Sequence, residues 1–341
     1  QLAIARRDGF VELRTIEFGL LFAHTGSIVA YRTNANSIAI KDVLTQQPEH
    51  ELSFLKIIHS IHMNRNILLI HFKDSLSLFN FKTYNKICEI PGNFEKCLFA
   101  LTETSIVFSR KGNLRVIDQK GKILFQFEFR SKIKYISSCD DGVIIGCKDG
   151  TISFIVNNKT HLIMHHTSPI EWVERKEQLI SVIDQQHHCF LYDSFTSSVL
   201  KSIDYCTSFV FNDRIKDLYA ITDGSTISVY YKDCEPMQLF VEGTLLAFIK
   251  NKLIVSNSGA IEIVSTLLPY KELIQRNMWD DVCHLVIAFS HRKRTPNPEI
   301  EEKPNDTMRL LKLIENDSFD DSHELTSMKS DSDEDFQDDE Y

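Results

Sequence analysis

An apolar residue follows a polar turn at Ile38, Leu76, Leu114, Ile152, Phe190, Ile227 and Ile261, and the steps between them are 38, 38, 38, 38, 37 and 34 residues. Each position belongs to the same local design: a short apolar strand, a turn of Lys, Asp, Gly, Asn or Ser, then an alternating strand. It reads NILLIHFKDSLSLFNF at 66–81 and GVIIGCKDGTISFIV at 142–156. A fixed period of this length requires a repeat architecture, in which each unit buries its apolar face only against its neighbours. Within a unit the apolar period is 2, as in Thr151–Ile155 and Thr226–Tyr230, which reads as half-buried strand.

Two strands and their hairpin occupy only part of each unit. The rest holds further strand candidates at Phe54–Ile61, Lys86–Ile90, Ile123–Phe129 and Thr207–Asn212. Four short antiparallel strands in roughly 40 residues make a propeller blade, and seven blades closed in a ring remove exposed sheet edges. An open pair of sheets demands no constant period. The fold expected is therefore all-β: a degenerate seven-bladed WD40-like β-propeller over 27–266, followed by a short α-helical segment and a disordered acidic tail. It is degenerate because no unit carries Gly-His…Trp-Asp. Asp42, Asp118 and Asp193 stand where that Asp would end a third strand, and Trp precedes none of them.

A further hairpin at 2–18 is out of phase, since Val11 lies 27 residues before Ile38. Residues 1–26 are expected to close a preceding propeller, so that the chain reads as a fragment. Its first residues carry neither an initiator Met nor a signal-peptide layout. After the seventh unit the period changes. Pro269 suits a helix start, and Trp279, Val282, Cys283, Val286 and Phe289 form a stripe at helical spacing. Residues 267–290 are expected to begin an α-solenoid, and 291–341 to form a linker with a short helix at Thr307–Glu315 and the tail.

Net charge is −9, but Glu315–Tyr341 holds twelve acids and one base, which leaves the body near +2. A near-neutral body gives no global attraction to nucleic acid or membrane. The basic pairs Arg6–Arg7 and Arg110–Lys111 and the triplet Arg292–Arg294 are not interleaved with aromatics, so no nucleic-acid partner is expected. Apolar runs such as Val282–Phe289 fall far short of the roughly 20 residues of a membrane span, so no membrane insertion is expected. Cys88, Cys97, Cys139, Cys147, Cys189, Cys206, Cys234 and Cys283 include no Cys-x-x-Cys and suit reduced thiols.

The chain contains no P-loop, dinucleotide fingerprint, nucleophile elbow or His-Glu-x-x-His. His161, His165, His166, His187 and His188 invite a metal reading. No acid or Cys is spaced to complete a tetrahedral set, however, and they read as strand or surface histidines. His59 and His62 read as packing residues, Asp140–Asp141 as a turn, and Asp280–Asp281 as acids suited to a helix start. Trp172 and Trp279 read as core anchors. Ser330 and Ser332, three residues before Asp333 and Asp335, lie in what reads as a solvated tail. No catalytic, cofactor-binding or metal-binding residue is assigned; no enzyme activity and no cofactor are expected.

Three stretches carry a family likeness: 133–158, the blade around 179–193, and 207–221. The order of elements adds to it, with Tyr270–Ile274 and Trp279–Val282 standing at the start of a solenoid. The chain resembles the WD40–tetratricopeptide subunits of intraflagellar transport complex A over about residues 2–289. The departure is at the C-terminus, where this chain turns acidic instead of continuing in helical repeats. The resemblance implies a non-enzymatic scaffold that supports retrograde ciliary transport and ciliary entry of membrane-protein cargo. It further implies the other subunits of complex A and cargo adaptors as partners, and the cytoplasm and cilium (axoneme, basal body) as location. The competing expectation is a coat-type or other trafficking-complex WD40 propeller scaffold.

Overall fold

The structure is a computed structural model that describes residues 2–5, 11–14 and 21–289, apart from 46, 47, 140, 158, 258 and 267. Strands Leu2–Ala5 and Val11–Arg14 pair with each other as a separate antiparallel hairpin. The rest of the β-structure is a ring of seven blades. Among the described residues six are four-stranded antiparallel sheets in simple up-and-down order, and the seventh has three strands, Thr244–Ile249, Lys252–Asn257 and Ala260–Ser265.

The sequence period is the blade period. Ile38, Leu76, Leu114, Ile152, Phe190, Ile227 and Ile261 each fall at the first or second residue of their blade's third strand. The turns at Lys73–Asp74, Lys111–Gly112, Lys148–Gly150 and Asp223–Gly224 all join second to third strands. Gly150 has φ +87°, and a Cβ there would run into the His166 carbonyl, so that position requires glycine. Asp42, Asp118 and Asp193 end third strands, as expected, for a local reason. Their carboxylates accept backbone N–H bonds from the turn that follows: Leu44 at 3.0 Å, Lys122 at 2.8 Å and Thr196 at 2.8 Å.

The half-buried reading of the strands holds at Ile227–Tyr231, where buried and half-buried residues alternate, but needs correction at Thr151–Ile155 and in blade 2. In blade 2 every residue of Ile67–His71 is buried. Leu68 and Ile70 pack with Ile38 and Ile40 of blade 1, whereas Ile67 and Leu69 pack with Leu101 and Ile106 of blade 3. Alternation here separates one core layer from the next, not core from solvent, because blades stack face to face. Similar layers lie between blades 3 and 4, 4 and 5, and 5 and 6. Blade 7 closes on blade 1 through Ala247, Ile249 and Ile254 against Val29.

Two element boundaries also differ from expectation. The first unit was read from residue 27, whereas the innermost strand of blade 1 lies ahead of it at Phe22–Thr25. Residues 54–59 are a loop rather than part of a strand. Phe54 and Ile58 donate their N–H groups to Asn36 and Ala35 across the neighbouring turn instead of entering a ladder.

Helix α1 (Tyr270–Gln275) begins after Pro269 as expected and buries Leu273. It is tied to a turn of blade 6: Glu272 accepts the Glu235 N–H at 3.2 Å, and Arg276 donates to the Asp233 carbonyl at 3.2 Å. Helix α2 (Trp279–Phe289) belongs to a second unit, with Asp280 and Asp281 in its first turn. The linker, the Thr307–Glu315 segment, the acidic tail with Ser330 and Ser332, and the basic residues Arg6–Arg7 and Arg292–Arg294 lie outside the described residues. No helix among the described residues is long and apolar enough to cross a membrane.

Candidate functional site

The seven innermost strands surround a central channel. They are Phe22–Thr25, Ser60–Met63, Leu98–Leu101, Ile133–Cys139, Ile170–Lys176, Ser208–Phe211 and Thr244–Ile249. The channel has two connected halves of ≈ 470 Å³ and ≈ 590 Å³ that share His24, Met63, Leu101, Ser138, Glu174 and Phe211 as wall. The smaller half lies toward the strand starts and is walled by Phe22, Phe99, Tyr135, Trp172 and Leu246. The larger opens among the first turns of the blades, beside Arg65, Glu103, Asp141 and Asp213.

Local backbone geometry aims the aromatic residues. The first strands of blades 4 and 5 each slip register at one place, between Ile133 and Tyr135 and between Ile170 and Trp172. A β-bulge of this kind redirects a side chain. Tyr135 and Trp172, one repeat apart, meet at 4.8 Å between ring centroids. Trp172 is half-buried: it packs against the core layer between blades 5 and 6, as its reading as a core anchor expects, and lines the channel as well; Trp279 is exposed.

Glu174 follows two residues after Trp172, with Val173 between them buried in the core. Its Oε2 is buried and has no hydrogen-bond partner, and neither has Trp172 Nε1. Burial pushes the Glu174 carboxyl up to about 8, against the pull of Lys176. The same burial, with Glu174 nearby, raises Tyr135, and burial raises Cys139 to about 12. On the opposite wall burial lowers His24, and burial together with His71 lowers His62 to about 4. Both imidazoles are therefore neutral at physiological pH.

The cations near Glu174 are engaged elsewhere. Lys176 donates to the Asn212 and Asp213 carbonyls, both at 2.7 Å. Arg175 bonds Asp141 at 3.0 Å and lies 4.1 Å over the Phe154 ring. The Lys176 contact belongs to a series of staples spanning about one repeat, with Asn64 bonded to the Thr102 carbonyl and Asn212 to that of Lys250.

The second feature is the outer rim. Outermost strands expose apolar side chains on four successive blades: Ile87, then Ile123, Leu124 and Phe125, then Leu162 (69%), then Val199 and Leu200. On one face, the loops leading into the next blade expose Leu55, Ile57, Tyr205 and Phe240 (86%). Clustered exposed apolar residues mark protein contact surfaces.

The histidine group divides. His161 and His165 lie on the outermost strand of blade 4 and are exposed. His166, just beyond it, is buried and shares a 2.8 Å hydrogen bond with the Tyr192 hydroxyl. Asp184, also buried, has Oδ2 4.0 Å from His166 and 3.5 Å from His188. Asp184 stands four residues before His188, within one turn of the chain, whereas only the fold brings it to His166, eighteen residues earlier. Tyr192 immediately precedes Asp193, so a Tyr-Asp pair with His166 occupies the place of the absent Trp-Asp signature. Among the described residues no group of three or more His, Cys, Asp or Glu is arranged to hold a metal ion. His62 is half-buried on the channel wall, whereas His59 is exposed. Asp141 is exposed and paired with Arg175, and Asp140 lies outside the described residues.

Residues 25–261 match the family described as IFT122 second beta-propeller. The chain is 19% identical over 299 residues to the intraflagellar transport protein 122 homolog of Xenopus tropicalis, covering 82% of this chain and 25% of that protein. Against the Homo sapiens homolog it is 18% identical over 294 residues, covering 80% and 23%. The chain thus spans about a quarter of the length of these relatives. Among solved structures it is similar to a chain of the mitotic checkpoint complex (TM-score 0.59, 10% identity, 73% of this chain and 89% of that one). It is also similar to Kluyveromyces lactis Hsv2 (TM-score 0.55, 13% identity, 70% and 89%). At such identity these two show the fold alone.

Proposed function

The chain belongs to the IFT122 second beta-propeller family, and from that premise we propose that it is a non-enzymatic scaffold subunit of intraflagellar transport complex A. In this reading it supports retrograde ciliary transport and the ciliary entry of membrane-protein cargo. It works in the cytoplasm and cilium, at the axoneme and basal body, through contacts with sister subunits and cargo adaptors. The observation that carries the reading is the family match over 25–261, the whole ring but its margins.

The exposed apolar rim of blades 2–5 and the loops around Leu55 and Phe240 supply surfaces of the kind such contacts require. In the same reading the hairpin Leu2–Arg14 is the closing hairpin of a preceding propeller, and α1 and α2 are the first helices of a solenoid.

The test is affinity purification of the full-length protein from ciliated cells with quantitative mass spectrometry. Sister subunits of complex A are expected at near-stoichiometric recovery. Recovery of vesicle-coat subunits in their place would replace this reading with a coat-type scaffold.

A further inference from the structure

We propose that the narrower half of the central channel binds a small organic cation, an alkylammonium or guanidinium group, with Glu174 as its counter-ion and Trp172 and Tyr135 as its aromatic wall. The starting observation is a carboxylate oxygen and an indole N–H, both buried, both without a partner, on the wall of one cavity. Leaving an acid unpaired away from water is unfavourable. The chain has two cations at the adjoining positions that would relieve this cost, and its fold directs both away. Lys176 is held by two backbone carbonyls and Arg175 by Asp141 and Phe154. Glu174 is thus left available for a charge from outside.

The chemistry of the wall selects the ligand class. An anion would find no Lys or Arg among the described residues of this wall to pair with, and a neutral apolar molecule would leave Glu174 unpaired. A cation pairs with Oε2 and at the same time faces the ring pair of Trp172 and Tyr135, whose π faces attract positive charge. Elsewhere on the wall Phe22, Phe99, Val210 and Leu246 stand among Ser, Thr and His side chains and accommodate an aliphatic stem. The volume of ≈ 470 Å³ admits a group of arginine side-chain size. The titratable groups close to Glu174 are Tyr135, Cys139 and Lys176, and the imidazoles of the opposite wall are neutral. A cation that arrives takes the place of the proton which burial otherwise keeps on the carboxyl. The same chemistry is offered by a free amine or guanidine and by an arginine of a partner polypeptide.

Trp172 supplies its own reporter, since the chain has only one other tryptophan, Trp279. The full chain carrying Trp279→Phe is titrated with ethylguanidinium, with a capped Ala-Arg-Ala tripeptide, and with ethylurea as the neutral isostere, while Trp172 emission is followed. A saturable change with the guanidinium probes and none with ethylurea is expected. Adding Glu174→Gln should weaken binding by at least about tenfold. Leu246→Arg, which brings a guanidinium of its own into the channel, should abolish it. Thermal melting of each variant establishes that it is folded, and either folded variant suffices. Tighter binding of the tripeptide than of ethylguanidinium assigns the cation to a partner's side chain; equal or weaker binding assigns it to a free small molecule. No saturation with either probe, or binding that survives unchanged in a folded Glu174→Gln or Leu246→Arg protein, overturns the proposal.

Discussion

Truncating Leu76 to Ala is a direct probe of blade stacking. Leu76 is fully buried at the second position of the third strand of blade 2, in a layer with Ile67, Leu69, Phe99, Leu101 and Ile106. The substitution deletes three carbon groups, worth about 0.8 kcal/mol each by transfer, or roughly 2.4 kcal/mol. A cavity term adds to this, because the layer is held from both sides by two β-sheets that cannot collapse freely. The expected loss is about 3–4 kcal/mol, within the observed range for buried Leu→Ala changes. Urea unfolding followed by far-ultraviolet circular dichroism measures it, with unchanged slope confirming that stability alone has moved. Leu162→Ala is the control: Leu162 is exposed on the outermost strand of blade 4 and should shift stability by no more than about 0.5 kcal/mol. If the two variants lose similar stability, or Leu76→Ala loses less than about 1 kcal/mol, the interblade layer is wrongly assigned.

Charge placed on the rim separates contact from stability. Leu124→Asp with Leu162→Asp should leave the melting curve within a few degrees of wild type and reduce recovery of partner subunits in affinity purification; full recovery would exclude this rim as the contact. Glu174→Gln should remove from the pH dependence of stability the part that falls with rising pH. The folded carboxyl holds its proton up to about 8, while the unfolded one releases it near 4.5, so wild-type stability falls as pH rises between these values. Burial-lowered His24, His62, His71 and His166 act in the opposite sense, losing stability as pH falls below their unfolded value, and they are common to both proteins. The difference between variant and wild type therefore isolates Glu174. It should grow in favour of Glu174→Gln from pH 5 to 8, reaching a few kcal/mol; a constant difference would contradict a buried, unpaired acid. His166→Ala should cost about 1–3 kcal/mol by stranding the buried Tyr192 hydroxyl, measured by urea unfolding; a loss below about 0.5 kcal/mol would mean that the bond is not formed.

The blade count and phase were legible in the sequence because a blade's third strand repeats the same local problem: turn, buried aliphatic, alternation. Ile38, Leu76, Leu114 and Ile152 solve it at identical spacing. The burial of alternate faces was misread because period 2 reports that two faces differ, not that one meets water. In Ile67–His71 both meet protein. The channel was illegible. Its narrower half takes two to four residues from each of seven strands, and Trp172 reaches it through a bulge that no local pattern encodes. The Tyr192 half of the His166–Tyr192 pair was within reach, since Tyr192-Asp193 stands where the Trp-Asp dipeptide would; the 2.8 Å bond to His166, twenty-six residues earlier, was not.

The most direct test of one blade per sequence repeat is hydrogen exchange across residues 21–289, resolved by peptide. A seven-bladed ring predicts protection maxima recurring across the second and third strands of each four-stranded blade, up to Ile38, Leu76, Leu114, Ile152, Phe190 and Ile227 and just beyond, because both strands are bonded on both edges. Faster exchange is expected at Ala260–Ser265, which among the described residues pairs on one edge only. Protection that rises and falls without the 38-residue recurrence, or that is uniform across second, third and outermost strands, would contradict the ring.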